Sequence, residues 1–230
     1  MRPVSVSEAW EEHSADWIAW ARAPDHDGFW SDTWPALARV LPRVGVGPAL
    51  DLGCGEGRAG RLLRESGWEV FGVDRSPTLA AAAATGDPPL PVVNADAGAL
   101  PFADETFDLV VASMSLQDID DPRDAITDAG RVLRAGGSLC AAIVHPFCSA
   151  QDAESLHTDR FTVSRPYLQA RRYEDRLDRD GFAMTFVSMH RPLGDYIGAL
   201  AAAGLTISAF EEHGDRAVPW LLTFRADRRS

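Results

Sequence analysis

A glycine-rich turn lies between a short apolar strand and a helix in the first quarter of the chain. Residues 50–57 are Leu-Asp-Leu-Gly-Cys-Gly-Glu-Gly, and the helical pattern of residues 58–66 follows directly. Glycines at alternate positions carry no Cβ, so the backbone can approach a ligand closely and adopt φ values that other residues avoid. A strand that ends in such a turn before a helix is typical of nucleotide-binding α/β proteins.

Short apolar runs alternate with helical segments along the rest of the chain. This alternation predicts parallel strands joined by right-handed crossovers. Gly204 marks the end of the last helix, and we expect the strand after it to be parallel and the final strand antiparallel. The predicted fold is α/β: a Rossmann-like, doubly wound, mostly parallel sheet of seven strands. The predicted strands are 49–52, 69–73, 92–94, 107–112, 138–144, 205–210 and 220–224, and the predicted helices are 58–66, 78–85, 122–133 and 193–203.

Two further segments have different patterns. Tryptophans recur at helical spacing in residues 1–44, which predicts two helices that form a lid. Residues 146–190 are richer in charged and aromatic residues, and the turn sequence at 178–181 predicts a hairpin of 169–175 with 182–190. We expect one domain, with the lid at 1–44, a cofactor-binding half at 48–144, a substrate cap at 146–190, and a C-terminal helix and strands at 191–230.

The composition favours a cytoplasmic enzyme with a small-molecule substrate. The formal net charge is -12, whereas nucleic-acid binders usually present a basic face. All 22 basic residues are arginine, which excludes Schiff-base chemistry and a Walker-A loop. The three cysteines have no metal-ligand spacing, so no metal is predicted. No apolar run approaches the roughly 20 residues that span a bilayer, so no membrane partner is expected. The sequence does not indicate an oligomeric state.

Acidic or polar residues follow the first four predicted strands. They are Asp51 with the glycine turn, Asp74, Asp96, and residues 113–118. The carboxyl ends of parallel strands meet at one edge of a sheet, where ligands of such folds bind. A carboxylate at Asp74 can accept hydrogen bonds from two ribose hydroxyls, which indicates an adenosine-type ligand. The G-x-G-x-G spacing and the acidic Glu56 disfavour the pyrophosphate of a dinucleotide.

The order of these elements resembles the class I S-adenosylmethionine-dependent methyltransferases, especially the small-molecule branch that includes ubiquinone and menaquinone methyltransferases. The resemblance covers about residues 48–144 and implies methyl transfer from S-adenosylmethionine to an oxygen, nitrogen or carbon atom of a small molecule. Two alternatives stay open: an NAD(P)-dependent oxidoreductase and a noncatalytic S-adenosylmethionine-binding protein. The matching segments are 50–57, 73–74, 94–97, 100–102 with 107–110, and 131–137.

The resemblance also implies the cofactor-binding residues. Cys54 is expected to be a small buried filler in the glycine turn and not a nucleophile, because methyl transfer needs no thiolate. The implied residues are Asp51, Gly53, Cys54 and Gly55 at the amino-acid end, Asp74, Arg75 and Ser76 at the ribose, Asp96 and Ala97 at the adenine, and Ser113 and Met114 near the sulfonium.

A general base is needed only when the acceptor must lose a proton. His145, directly after the fifth strand, and His190, at the end of the cap, are the candidates, because histidine titrates near neutral pH. Gln117 and Tyr167 are candidate substrate contacts. Relatives commonly carry histidines in the loop after the fourth strand, where this chain has Gln117 and Asp118, and this difference weakens a base assigned there.

Overall fold

The computed structural model describes residues 4–23, 27–43, 47–151, 161–214 and 218–229. Residues 152–160 of the predicted cap and the turn at 24–26 within the predicted lid therefore lie outside the described residues. The strands are β1 (Pro48–Leu52), β2 (Glu69–Asp74), β3 (Val92–Asn94), β4 (Phe107–Ser113), β5 (Leu133–Val144), β6 (Arg171–Arg179), β7 (Phe182–His190), β8 (Leu205–His213) and β9 (Leu221–Arg228). The helices are α1 (Val6–Glu12), α2 (Ser14–Arg22), α3 (Trp34–Val40), α4 (Arg58–Glu65), α5 (Pro77–Ala84), α6 (Pro122–Val132), α7 (Pro146–Ala150) and α8 (Leu193–Ala202), with a π-helical turn at Phe29–Thr33.

Seven strands form one sheet in the order β3-β2-β1-β4-β5-β9-β8. The first five in this order are parallel to one another, and β9 is antiparallel to both β5 and β8. The predicted seven-stranded, mostly parallel fold is confirmed. The strand expected to be parallel, β8, runs in the direction of β5 but pairs only with β9, because β9 inserts between them. Strand order reverses between β1 and β4, which defines the ligand-binding edge.

Helices cover both faces of the sheet, and each strand alternates its side chains between two cores. On one face, Leu50 and Val110 pack with Ile126 of α6 and Leu200 of α8. On the other, residues such as Ala49 and Leu109 pack with α3 and α4. This alternation follows the two-residue period of a strand, and apolar residues on both faces are what a buried parallel strand requires. The sheet is therefore a fixed platform for the residues at its edge.

Several elements differ from the sequence expectations; β8 and β9 end three and four residues later than predicted, and α7 was not predicted. β5 begins at Leu133, five residues before the predicted start, because Leu133 pairs with Phe107 ahead of a register shift in the β4–β5 ladder. The first lid helix is divided in two at His13, and a capping box of Ser5 and Glu8 begins α1. The hairpin strand β6 continues to Arg179, so that a two-residue turn with positive φ at both positions connects it to β7.

The N-terminal helices pack on the hairpin. Trp10 Nε1 in α1 donates a hydrogen bond to the carbonyl of Val187 in β7, with the two atoms 2.9 Å apart. The rings of Trp17 and Trp20 in α2 both meet the Phe186 ring edge to face. Residues that lie more than 160 positions apart thus form one wall above the carboxyl edge of the sheet.

Candidate active site

The glycine turn after β1 adopts a backbone that needs glycine. Gly53, Gly55 and Gly57 have φ values of 69, 56 and 94°. The amides of Gly53 and Cys54 both donate to the carbonyl oxygen of Val73, at 2.8 and 2.9 Å, and fasten the turn to β2. A Cβ at Gly53 would lie 2.6 Å from the Cβ of Ser115. The turn is therefore held close to its neighbours, with its backbone along the cavity edge.

Asp74 at the end of β2 binds the same turn through its carboxylate. Its Oδ2 accepts a hydrogen bond from the Gly55 amide at 2.8 Å, and its Oδ1 accepts one from the Ser76 amide at 2.9 Å. Burial raises the pKa of Asp74 to about 6, although these amide donors oppose the increase. Each oxygen keeps acceptor capacity beyond its backbone bond, which suits Asp74 to receive hydroxyl donors from a ligand.

Asp51 in β1 carries an unsatisfied carboxylate at the base of the cavity. The side chain is 1% exposed, and neither oxygen has a hydrogen-bond partner of normal geometry within the described chain. Burial raises the pKa of Asp51 to about 7, opposed by the Gly60 amide and reinforced by the charge of Asp74. A buried acid without a partner is costly. An ammonium group of a ligand would satisfy it, so the residues present fit the amino-acid end of S-adenosylmethionine.

The acid in the glycine turn itself is neutralised. Glu56 is buried, and its Oε2 lies 2.5 Å from Nη2 of Arg61 and 3.4 Å from Nε of Arg22. Its charge is therefore compensated within the protein, so Glu56 disfavours a pyrophosphate less than the sequence alone indicates. Asp51 supplies the uncompensated acid beside the turn.

The remaining cofactor residues named from the sequence line the same cavity, whose volume is about 1930 Å³. Asp96 Oδ2 lies 2.9 Å from Nη1 of Arg75, and Ala97 beside it is buried. Ser76 caps α5 and donates to Glu11 of α1.

Met114 has a φ of 56°, a left-handed conformation that residues other than glycine rarely adopt. The burial of Cys54 raises its thiol pKa well above the ordinary value, in keeping with a filler. The cofactor-binding residues expected from the sequence that line the cavity are Asp51, Gly53, Cys54, Gly55, Asp74, Arg75, Ser76, Asp96, Ala97, Ser113 and Met114.

An ion pair and two aromatic rings hold the N-terminal segment over the glycine turn. Arg58, the first residue of α4, places Nη1 2.6 Å from Oδ2 of Asp27. Its guanidinium also lies 3.9 Å from the centre of the Phe29 ring and 4.8 Å from that of Trp17. Cation–π contacts of this kind add to the ion pair when the group is shielded from water. Arg58 was not among the residues expected at the site, because its partners come from a separate segment of the chain.

The structure does not bring His145 and His190 into the cavity. His145 is 1% exposed and caps α7: its Nδ1 accepts from the Phe147 amide at 3.0 Å, and its Nε2 lies 2.9 Å from Oε1 of Glu212. His190 is fully buried, with Nδ1 2.8 Å from Ser149 Oγ and Nε2 2.9 Å from a backbone carbonyl. Both rings therefore have both nitrogens engaged in contacts within the fold, which makes them structural hydrogen-bonding residues.

The two substrate candidates differ in position. Gln117 lines the cavity, and its Nε2 donates to the carbonyl of Met114 at 2.5 Å. Tyr167 does not line the cavity; its hydroxyl accepts from the Leu193 amide at 3.0 Å, and it packs against His190. The cavity instead includes Asp118, which was not among the expected site residues. Its position in the loop after β4, at the carboxyl edge of the sheet, is the sequence feature that could have identified it.

No group of three or more histidine, cysteine, aspartate or glutamate side chains is arranged to hold a metal ion within the described ranges. Across those same ranges, every helix is too short or too polar to cross a membrane.

The sheet order, the glycine turn and the acid that closes β2 define a Rossmann-like nucleoside-binding domain. Residues 50–141 match the family model described as a methyltransferase domain. The chain therefore contains a class I S-adenosylmethionine-dependent methyltransferase domain, similar to quinone methyltransferases, and S-adenosylmethionine is the cofactor of that domain.

Two of the three relatives described next are named as methyltransferases, and the other as a hydroxylase. A ubiquinone/menaquinone biosynthesis C-methyltransferase from Roseobacter denitrificans is 35% identical over 136 residues, which cover 59% of this chain and 48% of the relative. A mitochondrial arginine hydroxylase from Danio rerio is 32% identical over 172 residues, covering 71% of this chain and 52% of the relative. The solved S-adenosylmethionine-dependent methyltransferase from Mesorhizobium loti is 28% identical with a TM-score of 0.66, covering 85% of this chain and 97% of that one. The chain spans about half the length of the curated relatives it matches.

Proposed function

We propose that the protein transfers the methyl group of S-adenosylmethionine to a small molecule held in the cavity. The observation that carries the proposal is the buried carboxylate of Asp51 beside the glycine turn, for which the described residues supply no hydrogen-bond partner of normal geometry. The cavity of about 1930 Å³ exceeds the roughly 300–1,000 Å³ of a single small-molecule site, which leaves room for a cofactor and an acceptor together.

In this proposal the cofactor supplies an electrophilic methyl carbon, and the chain holds the cofactor through three acids. Asp51 would accept from the ammonium group of the cofactor, Asp74 from the ribose hydroxyls, and Asp96 with Ala97 would bind the adenine edge. The protein's own contribution to the reaction is then alignment of the acceptor and exclusion of water. The lid at 1–44 and the cap at 146–190 would enclose the acceptor, and the half at 48–144 would hold the cofactor.

The acceptor is proposed to be a small molecule and not a nucleic acid, because the net charge of -12 would repel a phosphate backbone. The relatives include a C-methyltransferase and a hydroxylase, so they do not agree on an atom that receives a methyl group.

Calorimetric titration with S-adenosylmethionine, S-adenosylhomocysteine and NAD tests the cofactor half of the proposal. We expect both sulfur ligands to bind the wild type and Asp74→Ala to weaken them at least 100-fold, since two hydrogen bonds to a charged acceptor are lost. Asp108→Ala is the matched control, because Asp108 lies at the opposite edge of the sheet and pairs with Arg134. Binding of NAD without either sulfur ligand would refute the proposal in favour of an oxidoreductase.

Transfer itself is tested with methyl-labelled S-adenosylmethionine and a fractionated metabolite extract. We expect label to appear in a small-molecule product with wild type and with Asp108→Ala, and not with Asp74→Ala. Cofactor binding without transfer of label to any fraction would favour a noncatalytic cofactor-binding protein.

A further inference from the structure

A hydrogen-bonded cluster lies in the cavity on the side of the hairpin. Ser188 Oγ in β7 donates to Oδ1 of Asp118 at 2.6 Å. Tyr173 in β6 is the residue directly opposite Ser188 in the hairpin register, and its side chain hydrogen-bonds Ser188. All three residues line the cavity, on the same wall as Gln117. The Asp118 carboxylate is thus held by the Ser188 hydroxyl, which is itself hydrogen-bonded to Tyr173, on the cavity wall.

The loop that carries Asp118 is held by hydrogen bonds from Arg191 and Met189 to its backbone carbonyls. The Arg191 guanidinium donates to the carbonyls of Gln117, Ile119 and Asp120, at 3.2, 2.6 and 2.9 Å. The Met189 amide donates to the carbonyl of Gln117 at 2.9 Å. With Oδ1 of Asp118 bound to Ser188, the other oxygen has, among the described residues, only a long contact of 3.4 Å from Gln117 Nε2. One carboxylate oxygen is therefore left with acceptor capacity for a ligand proton.

Burial raises the pKa of Asp118 to about 8, while Ser188, Arg191 and Gln117 oppose the increase. Among the described residues, Tyr173 of β6 and Tyr196 of α8 are further ionisable groups that interact with Asp118. Burial raises the pKa of both tyrosines above the usual value, so they stay neutral while Asp118 titrates. A base whose pKa is near the working pH is the most effective proton acceptor.

Aromatic side chains form the wall beside this carboxylate. Phe186 lies two residues before Ser188 and so projects from the same face of β7. Its ring meets Trp17 and Trp20 edge to face, with centroids 6.0 and 5.7 Å apart, and all three rings line the cavity. A flat aromatic acceptor suits this wall. A phenolic hydroxyl, with a pKa near 10, is also easier to deprotonate than an aliphatic alcohol.

Building on the proposed methyl transfer, we propose that Asp118 is the general base and that the acceptor is an aromatic molecule with a hydroxyl group, held between Asp118 and the wall of Trp17 and Phe186. The acceptor oxygen forms a bond with the methyl carbon as the carbon–sulfur bond breaks, and that electron pair stays on the neutral sulfur. The hydroxyl proton passes to the Asp118 carboxylate. Ser188 is a positioning residue that holds this carboxylate.

Binding of two matched probes to the S-adenosylhomocysteine complex tests the inference without turnover. The probes are 2-naphthol and 2-methoxynaphthalene; in the second, a methyl group replaces the hydroxyl proton. At pH 8.5 we expect the wild type to prefer 2-naphthol about tenfold, as for a hydrogen bond to a charged acceptor. The preference should fall towards pH 6 as Asp118 takes up a proton. Asp118→Asn should lose both the preference and its pH dependence, and Asp108→Asn should keep them.

Ser188→Ala tests whether Ser188 positions the Asp118 carboxylate or only packs against it. The Ser188 hydrogen bond lowers the pKa of Asp118, so its loss should move the midpoint of the pH dependence upward. An unmoved midpoint would contradict the positioning role. Equal affinity of the wild type for the two probes, no binding of either, or an unchanged preference in Asp118→Asn would overturn the base and acceptor assignment.

Affinity for S-adenosylhomocysteine is measured first for every variant. Failure of the wild type to bind it would remove the proposed function, whereas normal binding without discrimination between the probes would remove only this inference. The wild-type comparison needs no substitution, so it stands even where a variant folds poorly.

Discussion

Binding of S-adenosylhomocysteine should release a proton from Asp51. In the free protein, burial raises the pKa of this carboxyl to about 7. An ammonium group beside it would favour the charged form and return the pKa towards its ordinary value near 3.8. At neutral pH the Asp51 side chain is therefore partly protonated before binding and ionised after binding. The buffer takes up the protons that are released.

The size of the effect follows from the pKa of about 7. At pH 6 a group of that pKa is protonated in a fraction 1/(1 + 0.1), about 0.9, so Asp51 should release up to about 0.9 proton. The ionised fraction falls from about 0.5 at pH 7 to about 0.09 at pH 6, which predicts affinity weaker by about fivefold. Asp74, whose pKa is raised to about 6, adds up to about half a proton at pH 6 when ribose hydroxyls favour its charged form.

Calorimetric titrations at pH 6 in buffers of different ionisation enthalpy measure the number of protons released. Asp51→Asn should remove the larger part of the release, and Asp74→Asn the smaller part. Asp108→Asn should match the wild type, because Asp108 lies at the far edge of the sheet beside Arg134. Net proton release below about 0.3 in the wild type, or an unchanged value in Asp51→Asn, would refute the placement of an ammonium group beside Asp51.

Three further predictions concern stability and the lid. The pKa of Asp51 is raised in the folded protein, so ionisation of Asp51 destabilises the fold as pH rises from about 4 to about 7. Asp51→Asn should therefore raise the free energy of unfolding at pH 8 by about 2–4 kcal/mol and leave it nearly unchanged at pH 4. Urea titration measures both values. Arg58→Ala should increase the dissociation rate of S-adenosylhomocysteine by about 3–10-fold in stopped-flow experiments, since the lid loses its ion pair and cation–π contacts, whereas Arg134→Ala should not. Substitution of His145 or His190 by alanine should cost about 1–3 kcal/mol of stability through unsatisfied buried partners but leave cofactor affinity unchanged; a fully stable variant with weakened binding would contradict their structural role.

Much of the sheet and its ligand-binding edge could be predicted from local patterns. β3 matches its predicted range, and α4 and α6 each end one residue before the predicted end. These elements combine apolar periodicity with turn or cap residues, both of which are short-range signals. The start of β5 was missed because its first residues join the sheet through pairing with Phe107, a contact that no local pattern encodes.

The placement of catalytic candidates could not be predicted in the same way. His145 directly follows a strand at the carboxyl edge, as a ligand-facing residue would, yet it points to Glu212 from the other end of the chain. Asp118 was set aside because its type differs from that in relatives, whereas its environment depends on Ser188, 70 positions away. Side-chain direction and burial are set by packing between distant segments, so residue type and strand position alone do not decide them.

The amino-acid sequence by itself determined the α/β architecture and the residues that gather around the glycine turn, because strand period, glycine content and strand-end acids are local properties. Only the tertiary structure decided which acidic side chains are paired with arginines and which have acceptor oxygens left for a ligand. Arg22 and Arg61 pair with Glu56, while Asp51 is buried and has no hydrogen-bond partner of normal geometry among the residues that the structure describes. The physical reason is that the cost of a buried charge depends on every group around it, and those groups are brought together only when the chain folds.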